Sequence, residues 1–214
     1  MSIVISIAIS VVIALLSIWV WSKYDALKLS DFNTNKKIKI FLIVYVLGTI
    51  GAFAYAGFQN YSIIVLCKLA LVYLLVSQIA LIDYRFHIIP NKILLGVAIA
   101  RLCIAIAEYI CMKEQFMSIM LGSLIGAAVG FGVLMLTNVL SKGGIGMGDV
   151  KLFGVMGFVL GLSGTYNALF YALIILVIYS AVMMGRKKIT KKSQMPFGPF
   201  VFIGYLITFS MGAF

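Results

Sequence analysis

Charge is the first thing this sequence is short of. Of its 214 residues only 11% are Asp, Glu, Lys or Arg, against about 25% in an ordinary soluble domain. The chain is 64% hydrophobic with a mean hydropathy of +1.16, more apolar side chain than a water-soluble globule can bury. A soluble fold is therefore excluded. Acidic residues number six, histidine occurs once, at His87, and the prolines are only Pro90, Pro196 and Pro199. The three cysteines, Cys67, Cys103 and Cys111, lie in or beside apolar runs without CxxC spacing, which argues against a disulfide framework or a zinc ribbon. No metal and no cofactor are expected.

What is there is a series of apolar runs separated by charged or turn-forming residues: Ile3 to Trp21, Ile38 to Phe58, Ile63 to Ile82, Ile93 to Cys111, Phe116 to Leu140, Val150 to Leu162, Ala168 to Met184, and Phe197 to Phe214. A bilayer crossing takes roughly 20 such residues. The expectation is an all-α polytopic membrane protein of about eight transmembrane helices, with residues 1–214 forming one domain. The first run has neither a basic region before it nor a small-residue cleavage site, so it reads as a retained span. The sixth run is short and needs residues from the glycine-rich stretch before Asp149.

The 17 basic residues give the path a direction. On an alternating path, loop one carries Lys23, Lys28, Lys36, Lys37 and Lys39, and loop seven Arg186, Lys187, Lys188, Lys191 and Lys192. Loops three and five add Arg85, Lys92, Lys142 and Lys151. All fourteen fall on one side, which the positive-inside rule makes cytoplasmic, with both termini outside. This explains the net charge of +11 without a nucleic-acid partner. Gly122, Gly126 and Gly130 recur at four-residue spacing and give the fifth helix a flat face for close packing. Gly157 and Gly161 repeat the pattern in the sixth, with Gly154 near the same face.

With six acidic residues, each can be judged separately. Asp25 and Asp31 lie among lysines, and Glu108 and Glu114 at the outer end of span four, where solvated positions are expected. Arg101, two turns before Glu108 on one face, reads as a buried polar contact or a snorkelling side chain, and Lys68 as snorkelling. His87 reads as a solvated loop residue. Asp83 closes the run VYLLVSQIALI, and Asp149 sits in SKGGIGMGDVKL. Carboxylates at the ends of membrane helices are costly and mark function. Two spans separate them, so both lie at the same end of the bundle and could face each other. Two carboxylates sharing a site cannot both ionise easily, so one keeps a proton while the other serves as base. An aspartic protease activates water in that way. The glycines before Asp149 let backbone, or a substrate strand, approach closely. Pro90 fits the first position of span four.

Three segments carry a resemblance: Asp83-Tyr-Arg-Phe-His-Ile-Ile-Pro90-Asn91, then Gly146-Met-Gly148-Asp149-Val-Lys151, then Pro196-Phe-Gly198-Pro199. In this order, within residues 83–200, the chain resembles the type IV prepilin leader peptidases, bacterial membrane aspartic proteases of the GxGD class. The resemblance implies that Asp83 and Asp149 are catalytic and that Gly146, Gly148, Lys151, Pro90, Pro196, Gly198 and Pro199 bind substrate or shape the site. It implies a prepilin or pseudopilin substrate, cut at its short basic leader on the cytoplasmic face of the inner membrane, with membrane lipid as surroundings. Larger members carry two CxxC pairs after the first helix and also methylate the new N-terminus. Here loop one has no cysteine, so zinc is not expected and the compact peptidase is the reading retained. A proton-coupled transporter using the two carboxylates is the alternative. It would place them near mid-span. The oligomeric state is not readable from the sequence.

Overall fold

The computed structural model describes residues 2–23, 36–59, 61–187 and 195–212. Among them every regular element is a helix: α1 (Ser2–Lys23), α2 (Lys36–Phe58), α3 (Ile63–Phe86), α4 (Asn91–Cys111), α5 (Lys113–Leu140), α6 (Met147–Gly185) and α7 (Gly198–Met211). Five stretches are long and apolar enough to cross a membrane: Ile40–Phe58, α3, α4, α5 and α6. Their outer faces are apolar, with Leu47, Ile50, Ile106, Leu136 and Val177 all exposed. Only a lipid solvent tolerates such a surface, and a helix is the element that satisfies its own backbone there.

The sixth and seventh apolar runs form two helical stretches joined at a single residue rather than by a loop. They are the two arms of α6, which is interrupted at Gly161 by a backbone conformation of φ 75°, ψ −170° that only glycine adopts freely. With the two arms of α6 counted apart, the seven helices are eight helical segments among the described residues. The chain reverses at this break, as its contacts with α5 show. A β-carbon on Gly130 would lie 2.5 Å from the Phe153 carbonyl oxygen of the first arm and 3.2 Å from Thr165 Cγ2 of the second. One on Gly126 would meet the backbone of Gly157 and Gly161. Both arms therefore run from Gly161 toward the Leu140 end of α5, one on each side of its glycine face. That face holds at Gly126 and Gly130, whereas Gly122 has open space where a side chain would go.

At the centre stands α3, the most buried of the five spans. Ser62 caps its start, accepting from the Val65 N–H at 3.4 Å. An aromatic cluster binds it to its neighbours: Tyr73 packs on Tyr45 of α2 and on Phe202 and Tyr205 of α7. Hydrogen bonds secure the polar tips, with Tyr205 Oη donating to the Leu69 carbonyl at 2.7 Å and Tyr45 Oη to Ser17 Oγ of α1 at 2.7 Å. Buried hydroxyls without such partners would cost stability.

One end of the bundle gathers the close of α3, α5 and the second arm of α6 with the starts of α4, α6 and α7. Lys151 bonds Asn91, Asn138 bonds Met147, and Tyr179 packs on Phe200 at 5.3 Å. Asp25, Asp31, Lys28, Lys188, Lys191 and Lys192, used in the sequence reading, lie outside the described residues.

Candidate active site

The last turn of α3 presents Asp83, which is 7% exposed. His87 ends the helix in the left-handed region, φ 54°, and its N–H donates to the Asp83 carbonyl at 2.9 Å. That cap turns the chain into a short extended passage, and Pro90, at φ −69° and ψ 119°, restarts it as α4. Pro90 is thus the residue capping α4, one place before the helical position expected of it. The Asp83 side chain points at α7: its Oδ2 accepts the Gly198 N–H at 2.7 Å. A β-carbon on Gly198 would stand 3.0 Å from Asp83 Cβ and 3.1 Å from the Ile79 carbonyl oxygen. Only glycine lets the start of α7 approach so closely.

Asp149 occupies the first turn of α6, behind an N-cap at Gly146. Its Oδ1 is buried without a hydrogen-bond partner among the described residues, and Asp83 lies within electrostatic reach of it. A β-carbon at Gly146 would come 3.1 Å from Asp149 Oδ2, so this glycine also leaves the carboxylate uncrowded. Helix start and helix end therefore bring the two aspartates together from different elements.

The remaining expected residues divide. Gly198 touches a carboxylate directly, and Pro196 and Pro199 flank it at the entry to α7. Lys151 faces away, donating to Asn91 Oδ1 at 3.3 Å, and braces the start of α6 against the start of α4. Gly148 is half-exposed. A β-carbon there would lie 3.0 Å from Ile89 Cβ, so this glycine admits the α3–α4 loop. His87 is exposed, as expected, yet close enough to act electrostatically on Asp83. Its place four residues beyond an aspartate at a helix end was the available signal. The stacking of Phe153 on Phe197, 5.9 Å between centroids, joins α6 to α7 beside the carboxylates, and nothing in the sequence pattern singled it out.

Far from this end, Glu108 corrects a second expectation. It is not solvated but fully buried, with Oε2 2.8 Å from Arg101 Nη1 and Oε1 2.9 Å from Lys68 Nζ. Lys68 is accordingly an ion-pair partner, and Arg101 makes a buried polar contact.

Apolar helices, with two carboxylates within electrostatic reach of each other at one end of the bundle, define a protein of membrane type that is all-helical among the described residues. Residues 69–181 match the profile of the type IV leader peptidase family, and the chain belongs to that family. The match takes in both aspartates and stops before Pro196. A relative from Bacillus subtilis (strain 168), the prepilin leader peptidase/N-methyltransferase, is 32% identical over 138 residues, which cover 63% of this chain and 51% of that protein. The chain thus matches about half the length of this curated relative. No solved structure matches.

Proposed function

We propose that the chain is a membrane aspartic endopeptidase that removes the short basic leader of a prepilin or pseudopilin. The observation that carries this is the meeting of Asp83 and Asp149, from the end of α3 and the start of α6, within electrostatic reach. The family membership supports it. Water held between the carboxyls attacks the scissile carbonyl, and its proton passes to the carboxylate acting as base. The other carboxyl, which holds the shared proton, donates as the carbonyl oxygen gains charge, and the leaving amine is protonated as the C–N bond breaks. Asp149 Oδ1 is buried with no hydrogen bond to give up, while Asp83 Oδ2 is tethered by Gly198.

The positive-inside count supports a bundle with its aspartate end at the cytoplasmic face of the bacterial inner membrane and both termini outside. The proposal is confined to peptidase chemistry, whose two carboxylates lie within the matched segment. A mid-span carboxylate pair, as a proton-coupled transporter would need, is not what the bundle has. Co-expression of a prepilin with Asp83→Asn or Asp149→Asn tests the reading. Each variant is expected to remain folded and to lose leader removal by about 10³-fold or more, the upper range for losing an acid or base. Near-normal processing by either folded variant would remove that aspartate from the mechanism.

A further inference from the structure

The end of the bundle remote from the aspartates holds a second polar cluster, which the proposed reaction does not use. Glu108 lies between two cations, Arg101 and Lys68. The arginine is fully engaged: Nε donates to the Phe158 carbonyl at 3.1 Å, Nη2 to Ser123 Oγ at 3.0 Å, and the guanidinium carbon is 5.5 Å from the Phe158 ring centroid. Two cations on one carboxylate leave a formal charge of +1. In a membrane interior such an excess is costly unless something answers it. Arg101 and Glu108 are 0% exposed at their side chains and Lys68 is 18% exposed, so the excess comes to the surface at Lys68.

It comes out into a cleft of about 890 Å³ between α3, α5 and the break in α6. Ser118, Ser123 and Ser163 line it with hydroxyls, and Ile119 and Leu162 give it an apolar wall. Lys68 and Ser118 each lie five residues inside the start of their helix, about 7.5 Å along the axis, where headgroups give way to acyl chains. The first arm of α6 ends and the second begins here, at Gly161, so their dipole ends oppose each other and the excess charge rests on the side chains. Excess charge, hydroxyl donors, apolar wall and depth come from separate elements and agree in character.

We propose that this cleft binds the headgroup of an anionic phospholipid in the leaflet opposite the aspartates. Its phosphate lies against Lys68 and the serine hydroxyls, and its acyl chains run along Ile119 and Leu162. The lipid's negative charge cancels the excess that Glu108 leaves.

The test uses the full chain, delipidated in detergent, with Lys68→Gln and Ser163→Leu. Lys68→Gln keeps the neutral Arg101–Glu108 pair and removes the excess charge. Ser163→Leu fills the cleft from an exposed position and keeps all three charges. Retention of phosphatidylglycerol and of phosphatidylcholine is measured by native mass spectrometry, and thermal midpoints are read with each lipid and with inorganic phosphate. Wild type should favour phosphatidylglycerol about fivefold, the weight of one basic residue at an anionic surface. Both variants should bring the two lipids to parity. Equal retention by wild type, or a preference that survives in both variants, overturns the proposal. Stabilisation reproduced by inorganic phosphate alone overturns the lipid as occupant and leaves a small-anion site.

Discussion

The backbone N–H of Gly198 donates to Asp83 Oδ2 across 2.7 Å, joining residues 115 apart in sequence. This bond fixes the rotamer of one carboxyl by a group that carries no side chain and cannot titrate. The bond also ties the entry of α7 to the end of α3.

Gly198→Ala is therefore expected to lower leader removal at least about tenfold, one power of ten for each ~1.4 kcal/mol lost from the transition state. The added carbon would stand 3.0 Å from Asp83 Cβ. Gly96→Ala, where nothing lies within 4 Å, is the matched control. Equal rates for the two variants, in a prepilin-processing assay at matched expression, would show that the Gly198 contact does not position Asp83.

Gly148 makes a prediction about packing. Because the neighbour of its missing side chain is the β-branched Ile89, 3.0 Å away at Cβ, Gly148→Val should lower thermal stability by about 1–3 kcal/mol, the usual cost of overpacking. Activity should fall with it. Adding Ile89→Ala should restore much of both, and the coupling is measured by a double-mutant cycle of thermal midpoints and rates. Additive losses would mean that the two positions do not meet.

Glu108→Ala would leave Arg101 and Lys68 facing each other without their anion. Breaking a buried pair from one side costs about 3–5 kcal/mol, enough to unfold a marginal protein. Detergent-solubilised Glu108→Ala should melt far below wild type even though it lies far from the aspartates. A midpoint within a degree or two of wild type would contradict the buried geometry.

Cysteines placed at Ile88 and Ile145, in loops three and five, should be labelled only from the cytoplasm, and a cysteine at Lys113 only from outside. Labelling of the first two from opposite faces would break the shared side on which the aspartate pair depends.

The sequence showed the helices and the pairing of Asp83 with Asp149 because both follow from long-period signals: apolar runs and the parity of crossings. It showed Arg101 and Glu108 on one face but not their burial, since depth depends on what α3 and α5 place over that face. At Gly148 it showed a close approach but not the partner, because a glycine states only that something comes near. The neighbour, Ile89, lies across two helices and a loop. That the reversal between the sixth and seventh runs takes one residue, Gly161, and no loop was hidden for a similar reason. Two apolar runs interrupted by Gly-Leu-Ser-Gly read equally well as two spans with a loop or as one helix broken at a single residue.

That reversal has a consequence for the bilayer itself. The first arm of α6, residues 147–160 before the break, is about 21 Å long at 1.5 Å per residue. The hydrocarbon layer is about 30 Å thick. A helix that turns back this early cannot hold Asp149 at one surface and Gly161 at the other in a membrane of ordinary thickness. The lipid beside this arm has to thin, or the carboxylate sits below the plane of its neighbours with water following it down. In either case the proposed prepilin helix would meet water sooner beside this arm than beside the longer spans, and its end would lose less by unwinding into an extended, cleavable strand.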